Sequence, residues 1–263
     1  MRGEAEDRVA LITGAGSTTG IGFACARVLA REGAAIAICS TTDRIHQRAG
    51  ELSVDGVEAA GFIADLTDRS QTRQLVSAAI ERFGRIDILV NNAGMVTVSE
   101  PEQNDPMFAE MEDADWDRSL AMNLTTAYNV TRAIFPGMLE RGWGRVVMVS
   151  SVTGPVVTVP ASAGYSAAKA GMDGLMRALA IEGGPRGVLV NSVAPGWIAS
   201  GSQLPEEAVA GTHTPVGRSG TPGEIAEVVA FLATDRASYL TGQSLVVDGG
   251  NTIQEAKASS GPI

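Results

Sequence analysis

The sequence predicts an α/β protein built on a parallel, doubly wound sheet of about seven strands, with helices on both faces. Three observations predict it. Short runs of Ala, Val, Ile and Leu alternate with longer stretches of helical periodicity, beginning at Val9. The runs are continuously apolar, as strands covered on both faces are. The first run ends in a glycine-rich turn that opens a helix, a context suited to a dinucleotide.

Residues 9–13 form the first strand, and the turn at residues 14–22 holds Gly14, Gly16, Gly20 and Gly22. Glycines let the backbone approach a pyrophosphate, and the following helix N-terminus offers free N–H groups and a positive dipole end. That helix covers residues 23–31 and stops at Gly33. A strand at 35–39, a helix at 43–52 and a strand at 59–64 follow, the last closing on Asp65-Leu66. An amphipathic helix at 70–83 and a strand at 86–90 lead to Asn91-Asn92-Ala93-Gly94. Right-handed crossovers put all strand C-termini on one edge, so the residues just after each strand are the candidate site.

Residues 96–108, with two prolines and several acids, read as a loop. Residues 113–139 read as one long helix carrying Trp116 and Asn123. A strand at 145–149 ends in Ser150-Ser151, and a loop with Pro155 and Pro160 leads to a helix at 164–182. A sixth strand at 188–193 ends at Ala194-Pro195-Gly196. Residues 201–218 read as irregular, 222–233 as a helix and 244–247 as the last strand. Asp248-Gly249-Gly250 reads as a structural turn, and the tail from about Asn251 as loose. With no repeat and no linker, the expectation is one domain over 1–263, with substrate loops at about 95–112 and 196–218.

Aromatic residues make up 5% of the 263, so the core is expected to be aliphatic, and 31 glycines imply many tight turns. A net charge of −10 argues against nucleic acid and anionic membrane as partners, since both need a basic face. No apolar run reaches the length of a membrane span. Residues 1–8 are polar and acidic, unlike a secretory leader, so a cytoplasmic protein is expected. Cys25 and Cys39 fall in a helix and a strand and read as two reduced, buried thiols. His46 and His213 lie outside any metal-ligand spacing, so no metal is expected.

Tyr165 and Lys169 are four residues apart on one helix, so their side chains share a face. A cation near a phenol favours the phenolate, which makes the pair a general acid/base device.

Thr13-Gly14, Gly20-Ile21-Gly22, Asp65-Leu66, Asn91-Asn92-Ala93-Gly94, Asn123, Ser151, Tyr165, Lys169, Asn191 and Pro195-Gly196, in this order and context, resemble the short-chain dehydrogenase/reductase family over nearly the whole chain. The likeness is greatest to its 3-oxoacyl-carrier-protein reductase and secondary alcohol dehydrogenase group. The resemblance implies a Rossmann-type fold and a nicotinamide cofactor. Tyr165 would exchange a proton with the substrate oxygen. Lys169 would lower the tyrosine pKa and bond the nicotinamide ribose. Ser151, preferred over its neighbour Ser150, would hold the substrate carbonyl. Asn123 would anchor a water in a proton relay. Cofactor contacts are expected from Gly14, Ser17, Thr19, Gly20, Ile21, Gly22, Ser40, Thr41, Asp65, Leu66, Asn91, Ala93, Gly94, Pro195, Gly196 and Ile198, besides Tyr165 and Lys169. Met95 and Trp197 are expected to face substrate.

The chain departs from the family pattern in places. The glycine turn carries two extra residues between Gly14 and Gly20, and where the family often has a threonine that binds the carboxamide the nearest hydroxyl is that of Ser200. At the end of the second strand, Ser40-Thr41-Thr42-Asp43-Arg44 stands where NAD-specific members carry an acid, so NADP(H) is favoured over NAD(H). The expected reaction interconverts a ketone (or 3-oxoacyl group) and a secondary alcohol. A non-catalytic nucleotide-binding regulator on the same fold is the alternative. The resemblance also implies a homotetramer.

Overall fold

In the computed structural model the described residues are 3–54, 56–94 and 106–255. They form a seven-stranded sheet, every adjacent pair parallel. The strands are β1 (Val9–Thr13), β2 (Ala35–Ser40), β3 (Ala59–Ile63), β4 (Ile88–Asn91), β5 (Gly144–Val149), β6 (Val188–Pro195) and β7 (Ser244–Val247). Their spatial order is β3-β2-β1-β4-β5-β6-β7. The direction of winding reverses between β1 and β4, and the C-terminal ends of those two strands open the crevice where such sheets bind ligands.

Two cores cover the two faces. Strand alternation sends Ala10 and Ile12 of β1 into one and Leu11 into the other. The first core is closed by α1 (Ile21–Arg31), α2 (Arg44–Val54) and α8 (Pro222–Leu232). The second is closed by α3 (Arg69–Phe83), α5 (Thr126–Arg141) and α6 (Ala163–Gly183). Both are aliphatic, as the composition requires. Cys25 and Cys39 are buried and unpaired, and burial pushes both thiols up to about 12. Trp143 packs near the N-terminal edge of the sheet between Arg8 and Arg145, 3.7 and 4.4 Å from its ring centre.

The structure corrects three expectations. The long helix read over 113–139 is interrupted: α4 (Asp113–Leu120) passes into one π turn, Ala121–Thr125, before α5 resumes. Hydrophobic spacing cannot show this, because a π turn adds one residue without ending the helix. The stretch 201–218, read as irregular, holds α7 (Pro205–Thr212). Pro205 sits in its first turn and the Glu207 carboxylate accepts from the Leu204 amide at 2.9 Å. Of the tail read as loose from about Asn251, residues 251–253 form a 3-10 turn, because Asp248 accepts from the amides of Gly250 and Thr252 at 2.9 and 2.7 Å, while residues 256–263 lie outside the described residues. Of the loop read over 96–108, residues 96–105 lie outside the described residues, and Phe108 opens a 3-10 turn. Among the described residues no helix is long and apolar enough to cross a membrane.

Candidate active site

Thr13, the last residue of β1, ties the two turns of the crevice together. Its hydroxyl donates to the Val90 carbonyl at 3.3 Å and accepts from the amides of Asn92 and Ala93, both at 2.9 Å. Asn92 completes the tie by donating to the carbonyls of Thr13 and Gly14 at 3.0 and 3.1 Å. Gly14 has a φ of +67°, and a Cβ there would lie 2.9 Å from the Ala93 Cα. A Cβ on Gly22 would lie 2.5 Å from the Asn92 amide nitrogen. The glycines of this turn are therefore demanded by close backbone approach. Gly20 precedes α1 without a side-chain cap, so the first-turn N–H groups of Ile21, Gly22 and Phe23 have neither an intrahelical partner nor a capping side chain. A cradle that excludes side chains and presents backbone donors at a helix N-terminus fits a dinucleotide pyrophosphate.

The lengthened turn carries Ser17 and Thr19, whose hydroxyls are 3.4 Å apart. A Cβ on Gly201 would lie 2.5 Å from the Thr19 hydroxyl, so the tip of the turn abuts the chain that leads into α7. Beside it, Ser40 donates to the Thr42 carbonyl at 3.1 Å and Arg44 donates to the Thr42 hydroxyl at 3.3 Å. Thr41 is exposed next to them. Asp65 forms a turn, accepting from the Thr67 amide and hydroxyl at 2.9 and 2.7 Å. The carbonyl of buried Leu66 accepts from Asn129 at 2.9 Å. Asn91 is turned inward: its amide donates to the Thr131 hydroxyl at 2.8 Å and braces β4 against α5. Asn92 is the residue that reaches the glycine turn.

Asn123 sits in the π turn, fully buried, and donates to the Ser119 carbonyl at 3.1 Å. Its side-chain oxygen packs against Gly94, where a Cβ would lie 2.8 Å away. The paired serines after β5 point in different directions. Ser150 donates to the Lys169 carbonyl at 3.4 Å, inside the fold. Ser151 accepts from the Thr153 amide at 3.0 Å and lies near enough to the Tyr165 phenol to pull its pKa down. Lys169 is buried, donates to the Val149 carbonyl at 3.1 Å and lies 5.5 Å from the centre of the Tyr165 ring.

Burial decides both pKa values. It pushes the Tyr165 phenol up to about 12, against the opposing pull of Ser151. The carboxylate of Glu207, on α7, adds to the rise and so acts across to the phenol. The Lys169 ammonium is engaged by the Val149 carbonyl, and Ser151 works against burial at the phenol. Burial also brings Lys169 down to about 8, opposed by Asp173 one turn along.

Pro195 and Gly196 close the far side. Gly196 donates to the Val247 carbonyl at 3.0 Å, and a Cβ on it would lie 2.6 Å from that of Asp248. Ile198 is buried beside Gly220. Trp197 is half-buried, with an indole nitrogen that has no hydrogen-bond partner. Met95 lies outside the described residues. Sequence reasoning missed three contributors. Thr13 and Asn92 were visible in the motifs but carry no chemistry by themselves, and Glu207 lay in a stretch read as irregular.

A family model described as Enoyl-(Acyl carrier protein) reductase matches residues 14–252. Oxidoreductase UcpA of Salmonella typhimurium is 38% identical over 266 residues, covering 97% of this chain and 98% of its own. The 3-oxoacyl-(acyl-carrier-protein) reductase FabG of Thermotoga maritima is 38% identical over 264 residues, covering 94% and 99%. A crystal structure of a protein assigned as a gluconate dehydrogenase from Agrobacterium tumefaciens superposes with a TM-score of 0.86 at 33% identity, covering 94% of this chain and 97% of that one. Likeness of this extent, running from the first glycine turn to the last strand, makes the chain a member of the short-chain dehydrogenase/reductase family and a nicotinamide-dependent oxidoreductase that interconverts a ketone and a secondary alcohol.

Proposed function

We propose that the protein reduces a ketone or 3-oxoacyl group, and oxidises the corresponding secondary alcohol, with NADP(H), using Tyr165 as the acid/base. The observation that carries this reading is that Ser151, the buried Tyr165 phenol and buried Lys169, 5.5 Å from its ring centre, come together at the sheet edge that also bears the glycine cradle. A bound nicotinamide supplies or accepts the hydride. Ser151 donates to the substrate oxygen and holds it next to the phenol. A phenol whose pKa lies near 12 is protonated at neutral pH, so Tyr165 is ready to give its proton to the oxygen of a carbonyl as charge builds there. Lys169, still largely an ammonium at pH 7, supplies the positive charge that lets Tyr165 part with the proton and offers a donor to the cofactor ribose.

Ser40, Thr41 and Arg44 support NADP(H), because hydroxyls and a guanidinium accommodate a 2′-phosphate that a carboxylate would repel. The exposed apolar side chains Tyr128 on α5 and Ile181 on α6 support a homotetramer. The acidic surface supports a protein at work in the cytoplasm. The test is Tyr165→Phe. It is expected to lose at least about a thousandfold in kcat while the cofactor Kd stays within about threefold. Turnover at the wild-type rate would refute the mechanism and revive the non-catalytic reading.

A further inference from the structure

The described residues bury five charged side chains: Arg48, Asp87, Arg145, Lys169 and Asp173. Three have close partners elsewhere in the fold. Arg48 pairs with Glu51 at 2.6 Å, Asp87 with Arg85 at 2.9 Å and Arg145 with Asp235 at 2.7 Å. The remaining two are Lys169 and Asp173, four residues apart on the inward stripe of α6 with Met172 and Met176. One carboxylate oxygen of Asp173 has no hydrogen-bond partner, and neither do the hydroxyls of Ser192 and Ser244. Buried polar atoms are rarely left unpaired without a functional reason.

The topology gathers these three groups behind Lys169. On β6, Val188 and Val190 belong to the core that holds Met172 and Met176, and Val193 to the opposite one. Alternation therefore turns Ser192 toward α6, and Ser244, its partner in register on β7, faces the same way. Lys169 is fixed at the level of Ser150 by its carbonyl. Ser192 lies level with Met148, two residues deeper on β5. α6 runs back along the sheet, so one turn beyond Lys169 brings Asp173 to that depth.

We propose that Asp173 is a positioning residue for Lys169: with Ser192 and Ser244 it forms a polar pocket behind the ammonium that keeps the lysine charged and aimed at the phenol and the cofactor ribose. The proposal rests on the role given to Lys169 above and extends it inward. Burial alone drives the lysine toward its neutral form, and the carboxylate opposes this. On α6 itself, exposed Arg177 stands one turn beyond Asp173. Tyr165 lies on the same helix, and Glu207 of α7 acts on Tyr165. On α4, Asp115 and Arg118 pair with each other at 3.1 Å. Arg141 of α5 reaches toward Asp87, and Arg186, in the 3-10 turn after α6, bonds the Leu139 carbonyl. Arg145 of β5 is held by Asp235. β6 and β7 present the two serines.

The test is the pH profile of kcat/KM from pH 6 to 10 for the wild type, Asp173→Asn and Asp173→Glu, with ketone and NADPH. The wild-type alkaline limb is expected near pH 8. Asp173→Asn is expected to move it down by about one unit while leaving activity at pH 6 within about twofold. Asp173→Glu, which keeps the charge, is expected to hold the limb in place. An unmoved limb in Asp173→Asn, or an equal loss at every pH, overturns the proposal. Should Asp173→Asn fail to fold, Asp173→Glu decides, since a limb displaced there refutes the charge argument. Lys169→Ala separates the two readings: full activity in that variant sinks the role of the lysine itself, whatever Asp173 does.

Discussion

At the end of β2 the Ser40 hydroxyl is bonded into the turn it begins, and Arg44 reaches the Thr42 hydroxyl across the same turn. A Cβ on Gly16 would lie 3.0 Å from the Ser40 Cβ, so this side chain borders the glycine turn itself. The NADP(H) reading proposed above can therefore be tested by one side chain at this position. The wild type is expected to show a higher kcat/KM with NADPH than with NADH. Ser40→Asp is expected to lower that ratio by about tenfold or more, because a carboxylate there repels a 2′-phosphate and bonds a free 2′-hydroxyl, a difference of about 1.4 kcal/mol or above. A wild type that prefers NADH would refute the NADP(H) reading. Not every role was readable at this scale. Asn91 and Asn92 are identical in the sequence, yet one braces α5 and the other locks the glycine turn. Ser150 and Ser151 divide in the same way, because successive residues leaving a strand face opposite sides.

At the scale of elements, the strand and helix order from β1 to β7 was legible because each strand is a short apolar run and each helix a periodic one. The π turn was not, although it carries Asn123. One extra residue in a helix changes which side chain faces the site, and hydropathy averaged over a turn does not register it. α7 escaped for a different reason. It is eight residues long, is flanked by Gly201 and Gly217, and depends on Pro205 and Glu207 at its N-terminus more than on an apolar face. The proposed homotetramer is also tested at this scale. Ile181 of α6 is 80% exposed and Tyr128 of α5 is 42% exposed, on the face turned away from the sheet. The protein is expected to elute at four times the mass of its chain, and Ile181→Asp to elute at a smaller size. Elution of the wild type at monomer size would refute the tetramer.

For the whole molecule, the buried titratable groups set how stability depends on pH. Lys169 falls from 10.5 to about 8 on folding, so the unfolded chain binds the extra proton between those values and stability rises with pH there. Cys25 and Cys39 rise from 9.0 to about 12 and Tyr165 from 10.0 to about 12, so above pH 9 the folded state holds protons the unfolded chain releases, and stability falls. Each proton is worth about 1.4 kcal/mol per pH unit over its window. The cofactor-free protein under reducing conditions is therefore expected to be most stable near pH 9, and the double variant Cys25→Ala and Cys39→Ala to decline less steeply above it. Denaturant melts from pH 7 to 11 would show this; stability still rising at pH 11 would contradict it.

The sequence by itself determined the parallel sheet, the glycine turn at its switch point and the candidate quartet Asn123, Ser151, Tyr165 and Lys169. The sheet, the turn and the Tyr165–Lys169 pair rest on local spacing and residue types, whereas Asn123 and Ser151 rest on likeness to the family pattern. Tertiary structure alone decided which asparagine locks the glycine turn, and that α7 brings Glu207 to bear on Tyr165. It also decided that burial, acting oppositely on a phenol and an ammonium, sets both of their pKa values. The reason is physical: orientation and desolvation depend on what lies across the sheet, and the alignment of Ser192 with Met148 comes from strand register, which spacing along the chain does not contain.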